Sequence, residues 1–156
     1  MKKKIKQFLS LVPIIFSVAV IVYVVYQNHM NLRFINYTEE MISSSYENYG
    51  NSFSDAYGYP AKEIEAVIEK YDIGIETKHY NALCFRSYPK IENFTEKYSF
   101  HIKSVIRNEK AAAVVYDYEY FQNDNSGNQI AWLAGERVIY FFKGQRWYIC
   151  DVIEQA

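Results

Sequence analysis

The stretch "FLSLVPIIFSVAVIVYVVY", Phe8 to Tyr26, runs for nineteen residues without a charge. As a helix rising about 1.5 Å per residue it is roughly 28 Å long, close to the ~30 Å hydrocarbon core of a bilayer. "MKKKIKQ" precedes it, with Lys2, Lys3, Lys4 and Lys6 and no acid. Lysines on that side only hold it in the cytoplasm and send the chain after Tyr26 across the membrane. Tyr23 and Tyr26 suit the far interface, and Pro13 lies near the cytoplasmic end, where neighbouring turns absorb its missing hydrogen bond. The run closes on "YVVYQNHM", which lacks the small residues of a cleavage site, so it reads as a retained anchor and not a removed signal. No second stretch approaches spanning length. The expected organisation is a basic cytoplasmic tail over 1–7, a single-pass anchor over 8–26 and an extracytoplasmic domain over 27–156. A lysine-rich start of this kind suits a bacterial envelope protein.

Charge then narrows the partners. Four of the 17 basic residues precede Phe8, so the exported part sets the remaining 13 against all 18 acids. A mildly acidic domain with scattered lysines has no basic stripe to displace counterions from phosphates, which argues against nucleic acid. Half of the 156 residues are hydrophobic and 18% are aromatic, enough for the core of one domain. Cys84 and Cys150 both fall in the exported part, where a disulfide between them is permitted. Their apolar settings, "ALCFR" and "WYICDV", equally suit small buried core residues. No Cys/His spacing fits a metal, and no nucleophile elbow or phosphate loop is present, so the sequence implies no cofactor.

Two helical patterns follow the anchor. Phe34, Thr38, Met41, Ile42 and Ser45 share one helical face, in a helix that runs on from the membrane, with Gly50 as its stop. "PAKEIEAVIEKYDIG" repeats Ile64, Val67, Ile68 and Tyr71 at helical spacing, with Pro60 suited to its first turn and Gly74 to its cap. The period then changes to two. Alternation marks strands near Tyr98–Arg107, Lys110–Phe121, Ile130–Phe142 and Arg146–Ile153, joined by short turns into an antiparallel meander. "HYNALCFRSYP" offers one further strand. The fold class is α+β: two or three helices packed on one face of a curved antiparallel sheet of at least four strands.

The last hairpin, "VIYFFKGQRWYICDV", is the most patterned piece. A three-residue turn at Lys143-Gly144-Gln145 pairs Phe141 with Trp147, Ile139 with Ile149, and Arg137 with Asp151 as a structural ion pair. A two-residue turn would instead oppose Glu136 to Asp151, two like charges. With Gly144, Trp147, Ile149 and Asp151 in place, the helices and their four-stranded finish resemble the nuclear transport factor 2-like (cystatin-like α+β) superfamily from about Asn31 onward. That resemblance implies a cup-shaped sheet. Its members include isomerases and dehydratases with a polar residue in the cup, ligand-binding domains, and single-anchor envelope components of conjugation and secretion machines.

An enzyme of that kind needs an acid or base inside the cup. The residues available are His101, Asp117 and Asp151, with Glu119 beside them. The alternation sets His101, Asp117 and Glu119 opposite the apolar rows, where they face solvent once helices cover the other side. The tyrosine row Tyr116, Tyr118 and Tyr120, with Trp147, is the more unusual feature. It packs beneath the helices, or it lines a ligand cavity or a protein interface. The reading that follows is a membrane-anchored extracytoplasmic interaction or assembly domain without catalysis, with a protein partner or self-association. A small-molecule cup, or a hydratase- or isomerase-like enzyme, is the alternative.

Overall fold

A computed structural model of the protein describes residues 2–47, 62–76 and 95–155. Helix α1 (Lys2–Glu47) is continuous for 46 residues. Pro13 lies within it, and the Ser17 hydroxyl donates back to the Pro13 carbonyl at 2.8 Å. The helix therefore passes without a break from the apolar run into the amphipathic pattern that follows. The chain divides into two compact units, Met1–Arg33 and Phe34–Ala156.

In the first unit the side chains from Leu11 to Tyr26 are exposed all round. Among the described residues this is the one helix long and apolar enough to cross a membrane, by length and composition.

The second unit holds helix α2 (Lys62–Lys70) and strands β1 (Ile73–Ile75), β2 (Thr95–Arg107), β3 (Ala111–Asn123), β4 (Gln129–Lys143) and β5 (Trp147–Gln155). The sheet order is β1-β5-β4-β3-β2. Three pairings are antiparallel, while β1 runs parallel to β5, so the sheet is mixed and not wholly antiparallel as expected. The α+β class stands, and the four long strands fall where alternation predicts them.

The core lies between the end of α1, α2 and one sheet face. Phe34, Tyr37, Thr38, Met41 and Ile42 of α1 and Ile64 and Val67 of α2 are buried against Ala112, Val114, Tyr116 and Tyr118 of β3, Ile139 and Phe141 of β4, and Trp147 and Ile149 of β5. The Phe34 ring meets Phe141 and Trp147 edge-on, each with centroids 4.8 Å apart. Tyr37, which the face predicted for this helix leaves out, is fully buried and meets Tyr71 and Phe141 at 5.6 Å. On the surface, Lys70 of α2 reaches Glu40 of α1 at 2.7 Å.

Two local expectations are corrected. Gly74 does not cap α2: Asp72 takes the left-handed conformation there, with φ 51°, and its carboxylate accepts a bond from Arg146 at 3.4 Å. Gly74 instead sits in β1 beside Tyr148, where a Cβ would lie 2.4 Å from the ring. The hairpin register also differs. Lys143 stands opposite Trp147, Phe142 opposite Tyr148 and Phe141 opposite Ile149, so the turn is Gly144-Gln145-Arg146, closed by the Gly144 amide donating to the Arg146 carbonyl at 2.9 Å. Beyond it a bulge at Cys150 shifts the pairing, so Asp151 stands opposite Tyr140, and Arg137 opposite Glu154. The bulge lets Ile149 and Val152, three residues apart, oppose the core residues Phe141 and Ile139. The expected Arg137–Asp151 ion pair is replaced by Arg137–Glu154 at 3.4 Å. Cys84, Pro60, Gly50 and the strand expected within "HYNALCFRSYP" lie outside the described residues, and with Cys84 so does the Cys84–Cys150 disulfide. The Cys150 thiol donates to the Tyr140 carbonyl at 3.4 Å.

Candidate functional site

Strand alternation distributes the site residues named above over two faces. Tyr116, Tyr118 and Tyr120 project to the inner face with Phe100 and Tyr98 of β2 and Arg137 of β4, through the pairs Tyr98–Tyr120, Phe100–Tyr118 and Tyr116–Arg137. Tyr116, Tyr118 and Trp147 are 1%, 2% and 5% exposed. They are part of the packed core; Tyr120 is half-buried. Tyr98 stacks on Tyr118 with centroids 6.1 Å apart.

One polar group is built into this aromatic wall. The Arg137 guanidinium lies 4.4 Å from the centre of the Tyr118 ring, the Tyr118 hydroxyl donates to the Glu154 carboxylate, and Arg137 reaches the other oxygen of Glu154. Gly135, opposite Tyr118, leaves room for that ring: a Cβ there would lie 3.0 Å from it. Burial pushes the Tyr116 hydroxyl up to about 12, with Arg137 opposing the rise, and burial also raises Tyr98. Burial by itself lowers Arg137, but Tyr116, Tyr118 and Glu154 outweigh it and hold the guanidinium charged. The cluster ties the middle of β3 and β4 to the C-terminal end of β5.

The acid–base residues stand elsewhere. His101 is opposite Asp117, and Asp117 opposite Glu136, all on the outer face. His101 and Glu119 are exposed. Lys103 bridges Asp117 at 3.3 Å and Glu136 at 2.6 Å, and the bonds to Glu136 and then Asp117 raise its ammonium above the usual range. Asp151 accepts from the Val152 amide at 2.9 Å, beside the bulge. The structure therefore does not bring His101, Asp117 and Asp151 together in a cup. No group of three metal-binding side chains occurs among the described residues.

The feature that sequence reasoning misses is a sheet edge. β4 has 15 residues and β5 nine, and their pairing covers only Glu136 to Lys143 of β4. Residues 129–135 of β4 pair with β3 on one side and, among the described residues, with no strand on the other. Where β5 stops, an open notch of about 640 Å³ is lined by Ala134, Gly135, Glu136, Glu154 and Gln155. Trp132, Ile130 and Leu133 on this run are 59%, 49% and 39% exposed. The signal for it is the unequal length of the last two alternating stretches. Comparison with family models, with curated proteins and with solved structures finds no significant match to this chain.

Proposed function

We propose that this chain is a membrane-anchored extracytoplasmic domain for protein interaction or assembly, acting without catalysis. The observation that carries the reading is an apolar helical run exposed from Leu11 to Tyr26, in a chain whose folded unit buries Tyr116, Tyr118 and Trp147 in its core. The burial of Tyr116, Tyr118 and Trp147 supports free surfaces as what the domain offers a partner. The four N-terminal lysines favour a cytoplasmic start and an exported domain, in a bacterial envelope. A fold of the nuclear transport factor 2-like kind is part of the proposal. It is supported by helices preceding an antiparallel finish and by Gly144, Trp147, Ile149 and Asp151 in the last hairpin.

The test is made on the full chain in bacterial membranes. The chain is expected to stay in the pellet after alkaline carbonate washing. Its C-terminal domain is expected to be cut by protease added to spheroplasts but not by protease added to inverted vesicles. A lysine-reactive crosslinker is expected to capture it in complexes. Release by carbonate would remove the anchor, and capture of monomer alone would remove the interaction role.

A further inference from the structure

Two turns at one end of the sheet gather charge that is scattered in the sequence. Strand β2 ends at Arg107, β3 begins after Lys110, β4 ends at Lys143 and β5 begins after Arg146, all at the same end. Both turns are closed by their own groups. The Asn108 carboxamide oxygen accepts from the Lys110 and Ala111 amides, and the Gly144 amide donates to the Arg146 carbonyl. The Lys143 amide also donates to the Lys110 carbonyl at 2.7 Å, which holds two lysines side by side on adjacent strands, where like charges repel. Both are exposed, and neither ammonium forms an ion pair among the described residues, whereas Lys70 and Lys103 each bridge a carboxylate. Arg146 reaches Asp72 at 3.4 Å with 44% of its side chain exposed. Glu109 is the one acid within the two turns, while the far turn, 124–128, carries Asp124 and no cation. Ile106 and Phe142, 68% and 37% exposed, add apolar surface beside the basic group. Both turns lie within the described residues, and β1 runs away from this end, beside β5, before the chain passes out of them.

We infer that this end of the second unit is a membrane-contact surface, and that its occupant is the layer of anionic phospholipid headgroups around the chain's own anchor. The inference goes beyond the interaction reading and takes from it only the anchor. Three observations select lipid. Exposed lysines beside apolar side chains match a surface that is anionic at its headgroups and apolar beneath them. The chain also enters the unit at this end, since Phe34, its first residue, packs on Phe141 and Trp147. Phe34 follows Tyr26, the last of the apolar run, by eight positions, about 29 Å even at full extension, so headgroups are present at high effective concentration. Finally, the exported part is acidic as a whole, so an anionic surface repels its other faces and favours this one.

The experiment uses the full chain, with Cys84→Ser and Cys150→Ser removing the native thiols and Gln145→Cys placed in the exposed turn. The protein is reconstituted into vesicles of phosphatidylcholine alone or with added phosphatidylglycerol. A fluorescent maleimide that cannot the bilayer penetrate labels only outward-facing copies, and a trace phospholipid with a nitroxide on its headgroup quenches it at contact range. Quenching is expected to be several-fold stronger with phosphatidylglycerol at about 0.1 M salt, and to fall to the phosphatidylcholine level at about 1 M, where charges are screened beyond ~3 Å. Lys110→Glu with Lys143→Glu is expected to abolish the difference, and an Asn125→Cys label at the far turn is expected to show none. Equal quenching in the two lipids would overturn the proposal, and that arm keeps the turn lysines unaltered. So would a difference that survives salt or both charge reversals. Loss of the difference on adding inorganic phosphate at matched ionic strength would make the site one for free phosphate and overturn the lipid assignment. A chain retained through the carbonate wash but indifferent to phosphatidylglycerol removes this proposal alone; a chain released by that wash removes the anchor and this proposal together.

Discussion

Arg137 and Glu154 face each other across β4 and β5 at 3.4 Å, and the same guanidinium covers the Tyr118 ring at 4.4 Å. The two partners are unequal: the Arg137 side chain is 17% exposed and that of Glu154 54%. Arg137→Ala should therefore cost about 1–3 kcal/mol, through the lost ring contact and a Tyr118 left beside a void. Glu154→Gln should cost less than about 1 kcal/mol, since a half-exposed ion pair contributes little and the amide still accepts from Tyr118. Denaturant unfolding of the full chain in detergent, followed by tryptophan fluorescence, measures both; equal losses would refute the asymmetry.

The core end of α1 should be the most sensitive part of the second unit. Phe34 is 1% exposed and touches both Phe141 and Trp147. Phe34→Ala should destabilise by about 3–5 kcal/mol and red-shift the tryptophan emission as water reaches Trp147. Leu32→Ala, two residues earlier at an exposed position, should leave the unfolding midpoint unchanged.

Strand positions and the inner and outer faces are legible in the sequence because alternation is a local property, and Tyr116, Asp117 and His101 fall on the faces that their parity assigns. What is not legible depends on contacts distant in sequence. β1 pairs with β5 through residues such as Ile73 and Trp147, and nothing local in "YDIGIE" distinguishes a strand from a helix cap followed by a loop. Glycine after a helix ordinarily marks the left-handed residue, yet Asp72 adopts that conformation, two positions earlier. The difference in hairpin register has a visible cause. Trp147, Ile149 and Val152 break the period of two, a spacing that signals a bulge, whereas charge pairing alone points to an unbulged register. Tyr37 lies one turn from both Phe34 and Met41 on α1, but its hydroxyl disguises it as a surface residue.

Gly74 should be intolerant of a side chain because of Tyr148. A Cβ at that position would lie 2.4 Å from two ring carbons, and the ring is itself stacked on Phe142 at 5.2 Å. Gly74→Ala should cost about 1–3 kcal/mol by overpacking. Tyr148→Ser should relieve it, so the double variant should be more stable than the sum of the single losses by at least about 1 kcal/mol. Strict additivity in urea unfolding would show that the ring is not the obstacle.

Stability should also fall at alkaline pH through Tyr116. Its hydroxyl is held up to about 12 in the folded chain, chiefly by burial, whereas an unfolded tyrosine ionises near ~10. Below about pH 9 both states keep the proton and this residue adds no pH dependence. Between about 10 and 12 the unfolded chain releases a proton that the folded chain retains, so unfolding is favoured progressively, by at most about 3 kcal/mol. Above about 12 both states are ionised and the contribution levels off. Burial raises Tyr98 as well, which adds to the slope in the same direction. Tyr116→Phe removes one titrating group without removing the ring, so its unfolding free energy should decline less steeply than the parent's between about pH 10 and 12. Denaturation midpoints at about pH 9, 10 and 11 provide the comparison, and parallel curves for the two proteins would refute the assignment.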